Sequence, residues 1–213
     1  MESKIGVNRR DGLSILAIGA HPDDIELGCG GSLAKLALAG ARIRAVIFSK
    51  GRRGSLQDAD RERESRAALA MLGVHEIAIH DFEDTKLTYS LNEMIAVLDE
   101  CVRLFNPDRV YTMFQHDRHQ DHRAVYEASS ISCRHVSQLL GYETPSSYPN
   151  FTPTIFEQIE EQLETKVRAL NCHRSQGERL YMQEEKVRSA ASFRGVQVQL
   201  GPSEGFIPYK MIL

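Results

Sequence analysis

The stretch Leu13-Ser14-Ile15-Leu16-Ala17-Ile18-Gly19-Ala20 decides the fold, and the polar sequence His21-Pro22-Asp23-Asp24 follows it directly. A nearly unbroken apolar run of this length is typical of a strand that is buried on both faces of a parallel sheet. Ligands of open parallel sheets bind beyond the carboxyl ends of the strands. Burying ionisable side chains there would cost free energy unless they had partners or a function. The sequence therefore predicts a functional site after the first strand.

Strand and helix patterns alternate along the rest of the chain. The hydrophobic periodicity predicts strands at 42–49, 77–79 and 109–113, and helices at 30–40, 60–72, 91–105 and from about 121 to 140. Ser90 and Glu93 have the spacing of a capping box in front of the third helix. In the last third we expect a surface loop at 141–153, a strand at 154–158, and helices at 160–171 and 184–194. This alternation predicts an α/β fold with a parallel sheet covered on both faces.

The composition is that of an ordinary globular protein, and we expect one domain over 1–213, with 42% apolar and 26% charged residues. The net charge of -3, from 26 Lys and Arg against 29 Asp and Glu, excludes a generally basic nucleic-acid binder. The apolar run at 13–20 is too short for a membrane span, which needs about 20 residues, and it lacks signal-peptide flanks. Four scattered cysteines indicate no disulfide framework, so we expect a cytoplasmic protein.

A second polar cluster follows the predicted strand at 109–113. Three of the eight histidines fall within the seven residues from 116 to 122, namely His116, His119 and His122. Because parallel strands end at the same edge of a sheet, we expect this cluster to lie near His21. The remaining histidines do not lie in clusters of this kind and are interpreted as ordinary surface or helix residues: His75, His80, His135 and His173.

Two histidines and one carboxylate make the three-ligand set of a catalytic zinc site that keeps an open position for water. His21, Asp24 and His122 supply this set, and a tight turn can bring His21 and Asp24 to one point. Two purely structural interpretations stay open. Residues 21–24 could be a turn without a functional role, and the second cluster could be a solvated loop. Their occurrence at matching strand ends favours a metal site.

The neighbouring residues suggest the rest of the chemistry. Asp23 lies between two predicted ligands and must project elsewhere, so it would be free to take a proton from water whose pKa zinc lowers to about 7. His119 would stabilise an oxyanion or protonate a leaving amine. Asp121 would hydrogen-bond the ring of a neighbouring histidine and fix its tautomer.

At these residues the sequence resembles the PIG-L/LmbE-like N-acetylglucosaminyl deacetylases. That family carries an A-H-P-D-D-E motif after the first strand and an H-P-D-H motif after a later one, and the matches here are 20–24 and 119–122. Ile25 and Gln120 depart from the two motifs. Weaker similarity extends over most of the chain, for example at 30–34, 106–108 and 203–206.

The resemblance implies a Rossmann-like fold and the removal of an acetyl group from an N-acetylated amino sugar or its glycoside. It implies Zn²⁺, with Fe²⁺ as an alternative, bound by His21, Asp24 and His122. It also implies Asp23 as general base and His119 as the acid or oxyanion residue. We expect a small-molecule substrate, no nucleic-acid or membrane partner, and a homo-oligomer, since relatives often form trimers or hexamers.

The loop Lys50–Ser55 departs from the family pattern, which leaves the identity of the substrate open. Arg52 and Arg53 in this loop are interpreted as exposed arginines, with contact to a substrate anion as the alternative.

Three other functions are considered. The stretch Glu26–Gly31 resembles the glycine-rich loop of S-adenosylmethionine-dependent methyltransferases, but 21–24 separates it from the first strand, and the second strand ends without an acidic residue. Two histidines and a carboxylate also suit a non-haem iron oxygenase, although the strand–helix alternation disfavours its usual β-barrel. A non-catalytic metal- or carbohydrate-binding protein would need neither Asp23 nor His119.

Overall fold

The computed structural model describes residues 12–54 and 60–212. The strands within these residues are Ser14–Gly19 (β1), Arg42–Ile47 (β2), Glu76–Ile79 (β3), Arg109–Met113 (β4), Gln138–Tyr142 (β5), Ile155–Gln158 (β6) and Ser203–Met211 (β7). The helices are Asp24–Leu38 (α1), Arg61–Met71 (α2), Leu91–Phe105 (α3), Gln120–Ser132 (α4), Leu163–Leu170 (α5) and Glu184–Val196 (α6). Short 3₁₀ turns lie at Arg52–Gly54, Leu87–Ser90, Glu160–Gln162, Arg174–Gln176 and Leu180–Met182.

The strands form one sheet in the order β3-β2-β1-β4-β5-β7-β6. Strands β1 to β5 run parallel, and β7 pairs antiparallel with both β5 and β6. Helices α1, α2 and α5 pack together, as do α3 and α4. Right-handed crossovers put the helices that connect strands to the left and to the right of β1 on opposite faces. The predicted α/β fold, a Rossmann-like and mostly parallel sheet with helices on both faces, is confirmed.

Every residue of β1 is buried, as its apolar sequence predicts for a central strand. The chain adds β2 and β3 on one side of β1 and then returns to place β4 on the other side. The strand order therefore reverses between β1 and β4, which makes their carboxyl ends the expected ligand-binding position of such a sheet. The expectation of a single domain over 1–213 stays a prediction.

The region after α4 differs from its predicted structure. The helix expected to reach about residue 140 ends at Ser132, and 138–142 is strand β5, whose last two residues were assigned to a surface loop. By periodicity alone, a short apolar run such as this one fits a helix and a strand equally well. Strand β7 was not predicted, and it contains Pro208, a residue type that argues against a strand. The register of β5 and β7 shifts between Leu139 and Leu140, beside this proline, and such an irregularity tolerates it.

Two helix starts also differ from prediction. Helix α1 begins at Asp24, six positions before the expected Gly30, so the polar cluster after β1 runs straight into the helix. The capping box is not formed, because Ser90 makes no side-chain cap hydrogen bond. Ser90 ends a 3₁₀ turn with φ -113° and ψ 27°, not the extended backbone that lets a cap side chain reach forward. None of the helices within 12–54 and 60–212 is long and apolar enough to cross a membrane.

Helix α1 approaches the sheet closely at Gly28. The hydroxyl of Tyr142 donates to the carbonyl of Ile18 at 2.7 Å, which fixes the tyrosine ring under the helix. A β-carbon at residue 28 would overlap this ring. Glycine is therefore needed to let the first helix and the edge of the site come together.

We expect Gly28→Ala to lower the free energy of unfolding by about 1–3 kcal/mol, the usual range for overpacking a core. Urea unfolding followed by circular dichroism measures this change. Gly177→Ala is the matched control, because Gly177 is exposed, has φ -58° and leaves room for a methyl group. Equal stabilities of the two variants would contradict the close approach.

Candidate functional site

The two polar clusters meet in a cavity of about 400 Å³ at the carboxyl ends of β1 and β4. His21, Asp23 and Asp24 enter it from the turn between β1 and α1, and His119 and His122 from the start of α4. Other parts of the chain complete the wall with Arg53, Arg61, Asp84, Thr144, Ser146, Gln176, Arg179 and Tyr181.

The turn after β1 is held by its own carboxylate. Oδ2 of Asp24 accepts hydrogen bonds from the backbone amides of Ala20 at 3.1 Å and His21 at 2.8 Å. Asp23 has φ 105°, a left-handed conformation that is costly for a residue other than glycine and that occurs at functional sites. This backbone turns the two adjacent aspartates in different directions.

His21 is surrounded by carboxylates. Its Nε2 lies 3.0 Å from Oδ2 of Asp121 and 3.2 Å from Oδ1 of Asp84, and its Nδ1 lies 3.6 Å from Oδ2 of Asp24. Burial alone would lower the pKa of His21, but the three carboxylates raise it well above its ordinary value. If Nε2–H donates to Asp121, Nδ1 of the neutral ring keeps its lone pair on the side of Asp24.

His122 also has one ring nitrogen against a carboxylate and the other facing Asp24. Its Nδ1 lies 3.2 Å from Oδ2 of Asp117 and 3.3 Å from the hydroxyl of Ser146, and its Nε2 lies 3.3 Å from Oδ1 of Asp24. Burial lowers the pKa of His122, but Asp24 and Asp117 outweigh it and raise the pKa to about 9. With Nδ1–H donating to Asp117, the lone pair of Nε2 faces Asp24.

Part of the spacing around Asp24 is that of a tetrahedral cation site. Ligand atoms about 2.0–2.2 Å from a zinc ion lie about 3.3 Å apart, which matches the 3.3 Å between Oδ1 of Asp24 and Nε2 of His122. Nδ1 of His21 lies 3.6 Å from the other carboxylate oxygen, Oδ2. The backbone amides occupy Oδ2 of Asp24, which leaves Oδ1 with free lone pairs. Carboxylates behind both rings fix their tautomers, as is usual for histidine ligands of metals.

Two groups of three donor atoms from the described residues lie within 4.8 Å of one another, and neither contains Asp24: His21 with His119 and His122, and His21 with Asp84 and Asp121. Hydrogen bonding disfavours both. Nδ1 of His119 accepts an amide hydrogen, so its Nε2 carries the proton in the neutral ring and has no lone pair for a metal. The two oxygens of Asp121 accept backbone amides of the loop after β3. Asp84 accepts a further amide.

His119 is the residue before α4 and caps that helix. The amide of Asp121 donates to its Nδ1 at 3.2 Å, which leaves Nε2–H as a donor in the neutral ring. Burial lowers the pKa of His119, and positive charge on His21 and His122 lowers it further. A neutral imidazole donor therefore fits this position better than an imidazolium.

Asp23 points away from the three candidate ligands. Its Oδ2 lies 3.2 Å from Nη2 of Arg61, and both side chains are buried. Nη2 of Arg61 also donates to the carbonyl of Pro22, and Nη1 to that of Gly51, so the guanidinium is held by the backbone. Burial and the charge of Asp24 raise the pKa of Asp23 to about 6, against the opposing effect of Arg61. A carboxylate with this pKa is suited to exchange protons near neutral pH.

His173 is not an ordinary histidine, and the sequence analysis is wrong about it. Its Nε2 lies 2.9 Å from Oε1 of Glu26, and both side chains are fully buried. Burial lowers the pKa of His173, but Glu26 and Asp23 raise it more. Ser65 donates to the same Glu26 oxygen at 3.2 Å. This pair lies behind Asp23, and no motif spacing links residues 26 and 173.

Sequence reasoning also missed Asp84, Asp117 and Arg61. Asp117 was visible inside the histidine cluster, and its full burial separates it from the exposed His116 beside it. Asp84 and Arg61 offered no signal, because each reaches the site from a different loop or helix. Asp84 has its pKa lowered to about 2, because His21 and a backbone amide outweigh the effect of burial.

The arginines after β2 are exposed, as expected. Arg52 pairs with Asp81 and Arg53 with Glu83, each at 2.9 Å. Arg53 lies on the rim of the cavity. The last residue of the predicted 50–55 loop lies outside the described residues.

We expect His173→Ala to destabilise the protein by about 3–5 kcal/mol, since removing one partner of a buried pair leaves the other charge uncompensated. Chemical unfolding measures the loss. His135→Ala, at an exposed position of the same residue type, should change stability by less than about 0.5 kcal/mol. A loss for His173→Ala as small as that of the control would show that the pair is not a buried ion pair.

The family model and two relatives that match this chain are all described as deacetylases. The model of the PIG-L family, described as GlcNAc-PI de-N-acetylase, matches residues 16–131. The uncharacterized deacetylase YaiS of Escherichia coli (strain K12) is 49% identical over 174 residues, which cover 79% of this chain and 93% of the relative. The diacetylchitobiose deacetylase of Thermococcus kodakarensis is 26% identical over 200 residues, covering 83% of this chain and 74% of the relative.

The fold is shared with solved structures. A conserved protein of Thermus thermophilus superposes with a TM-score of 0.85 at 25% identity, covering 94% of this chain and 96% of that chain. The glycines of the methyltransferase alternative lie inside α1 here and form no loop directly after β1.

Proposed function

This chain belongs to the PIG-L family of deacetylases, and we propose that it is a zinc-dependent hydrolase that removes the acetyl group from an N-acetylated amino sugar or its glycoside. One observation carries the proposal. When the rings of His21 and His122 are neutral, the nitrogens that face Asp24 would carry the lone pairs, because the opposite nitrogens contact Asp121 and Asp117, while Asp23 beside them stays outside the set. Fe²⁺ is the alternative metal, because the same donors suit it.

Two matched names support the substrate class, since GlcNAc-PI and diacetylchitobiose both denote N-acetylated sugars. The compartment and the oligomeric state stay predictions. Four free thiols suit the reducing cytoplasm, and a trimer or hexamer is the expected assembly.

When bound, Zn²⁺ supplies Lewis acidity, which lowers the pKa of water and polarises a carbonyl oxygen. Asp23 accepts the proton that the attacking water loses. Arg61 holds the Asp23 carboxylate in place and favours its ionised form against the effect of burial.

His119 donates from Nε2–H to the oxygen of the acetamide as negative charge develops there. One such donor contributes about 3–4 kcal/mol in known sites. The carboxylic acid of Asp23 then returns its proton to the nitrogen as the C–N bond breaks. Acetate and the free amine leave, and the carboxylate is regenerated.

The experiment that tests this function measures released acetate from a panel of N-acetylated sugars that includes N-acetylglucosamine and its methyl glycoside. We expect release with zinc-loaded protein, no release after chelation, and recovery when Zn²⁺ or Fe²⁺ is returned. Protein that releases no acetate from any member while loaded with either metal would favour the non-catalytic binding alternative.

Substitutions should separate the base from the ligands. We expect Asp23→Ala to keep zinc but lose at least about 100-fold in kcat, the lower range for general-base catalysis. His122→Ala should lose zinc itself. Metal content by atomic absorption and acetate release measure the two effects. Near wild-type turnover of Asp23→Ala on every substrate would refute the base assignment.

A further inference from the structure

A second cavity of about 370 Å³ lies beside the candidate active site. The two cavities share four wall residues: Leu27, Thr144, Pro145 and Tyr181. The hydroxyl of Thr144 donates to Oδ2 of Asp117 at 2.7 Å, and the same carboxylate oxygen contacts His122. The two cavities therefore adjoin at this wall, as a ligand that occupied both would require.

The wall of the second cavity is largely apolar. Helix α6 contributes Val187, Ala190, Ala191 and Phe193 to it, and Leu27 of α1 also lines it. Phe193 is 60% exposed, so its ring is open to a ligand in this cavity. Tyr181 stands between the two cavities, and burial and the charge of Asp23 raise the pKa of its hydroxyl, which therefore stays neutral.

Each charged side chain that lines this cavity already has a partner. Lys166 pairs with Glu204 at 2.6 Å, and this carboxylate also accepts two backbone amides of α1. Arg194 makes a two-pronged pair with Glu143 at 2.6 and 2.9 Å. Lys186 pairs with its neighbour in α6 at 3.3 Å. A charged ligand group would therefore meet no unpaired opposite charge among these side chains, whereas an uncharged group needs none.

We propose that this second cavity, here called the aglycone cavity, binds an uncharged and largely apolar group linked to the amino sugar. The inference rests on the proposed deacetylase function and narrows its substrate to a glycoside with such an aglycone. A volume of about 370 Å³ falls within the usual range of roughly 300–1,000 Å³ for small-molecule sites. Binding energy gained there raises kcat/KM, because remote contacts help to place the acetamide for reaction.

The test compares the acetate that the zinc-loaded protein releases from three kinds of probe. The probes are the methyl glycoside of N-acetylglucosamine, its 4-nitrophenyl glycoside and its 1-phosphate, with both anomers of the glycosides. We expect kcat/KM for the better 4-nitrophenyl anomer to exceed that for the methyl glycoside at least about 10-fold, as burial of an aromatic ring allows. The 1-phosphate should gain nothing over the methyl glycoside.

Two variants test whether the preference for the 4-nitrophenyl glycoside arises in the aglycone cavity. Ala190→Trp should fill the aglycone cavity from an exposed helix position, and Phe193→Ala should remove its aromatic wall. Each should bring the ratio of the two kcat/KM values close to 1, and the ratio cancels any general loss of activity. Ala67→Trp is the matched control at an exposed position of α2 and should keep the wild-type ratio.

Calorimetry provides a readout that does not depend on turnover. The 4-nitrophenyl glycoside should bind with a Kd at least about 10-fold lower than the methyl glycoside, and Ala190→Trp should abolish the difference. A ratio near 1 in wild-type protein, a preference for the 1-phosphate, or an unchanged preference in Ala190→Trp overturns the inference. Absence of acetate release from every probe, with the binding difference intact, overturns the proposed function and upholds the aglycone cavity.

Discussion

The carboxylate of Asp24 makes the contacts on which the arrangement of the site depends. One oxygen accepts the amides of Ala20 and His21 and closes the turn at the end of β1, and the other faces His122 from α4. Because the strand order reverses between β1 and β4, these two segments can meet only here. A single side chain thus fixes the local backbone and joins the two halves of the sheet at the point where chemistry is expected.

The charge balance around this carboxylate favours a cation. Buried acidic groups surround the cavity or lie just behind it, namely Asp23, Asp24, Glu26, Asp84, Asp117 and Asp121. Arg61 and His173 offset part of this charge, on the side of Asp23 and Glu26. The same field raises the pKa of His21 and His122, and a divalent ion would take the place of their protons. Electrostatics and donor geometry therefore favour the same kind of occupant.

Local patterns allowed the sheet edge and its two clusters to be predicted from the sequence. His21 to Asp24 and His119 to His122 are contiguous, and each follows a recognisable strand, so parallel topology alone brings them together. Their roles stay predictions. His173, Asp84 and Arg61 could not be found in this way, because each owes its place to packing between distant segments. Strand β5 was missed for a related reason, since only its neighbours β4 and β7 distinguish its short apolar run from a helix.

The features that contiguous motifs predict and those that depend on packing between distant segments lie mainly in different parts of the chain. Residues 16–131, which match the family model, carry the six candidate catalytic and ligand side chains of both clusters: His21, Asp23, Asp24, His119, Asp121 and His122. The second cavity is built mainly from residues after this range, in the loop at 143–147, the segment around Tyr181, helix α6 and the start of β7. Both candidate clusters and most of the second cavity therefore lie in different parts of the chain, and Thr144 and Tyr181 line both cavities. Motifs of the first part indicate a reaction class, whereas the proposed preference for a group attached to the sugar would depend on packing in the second part, which no short motif describes.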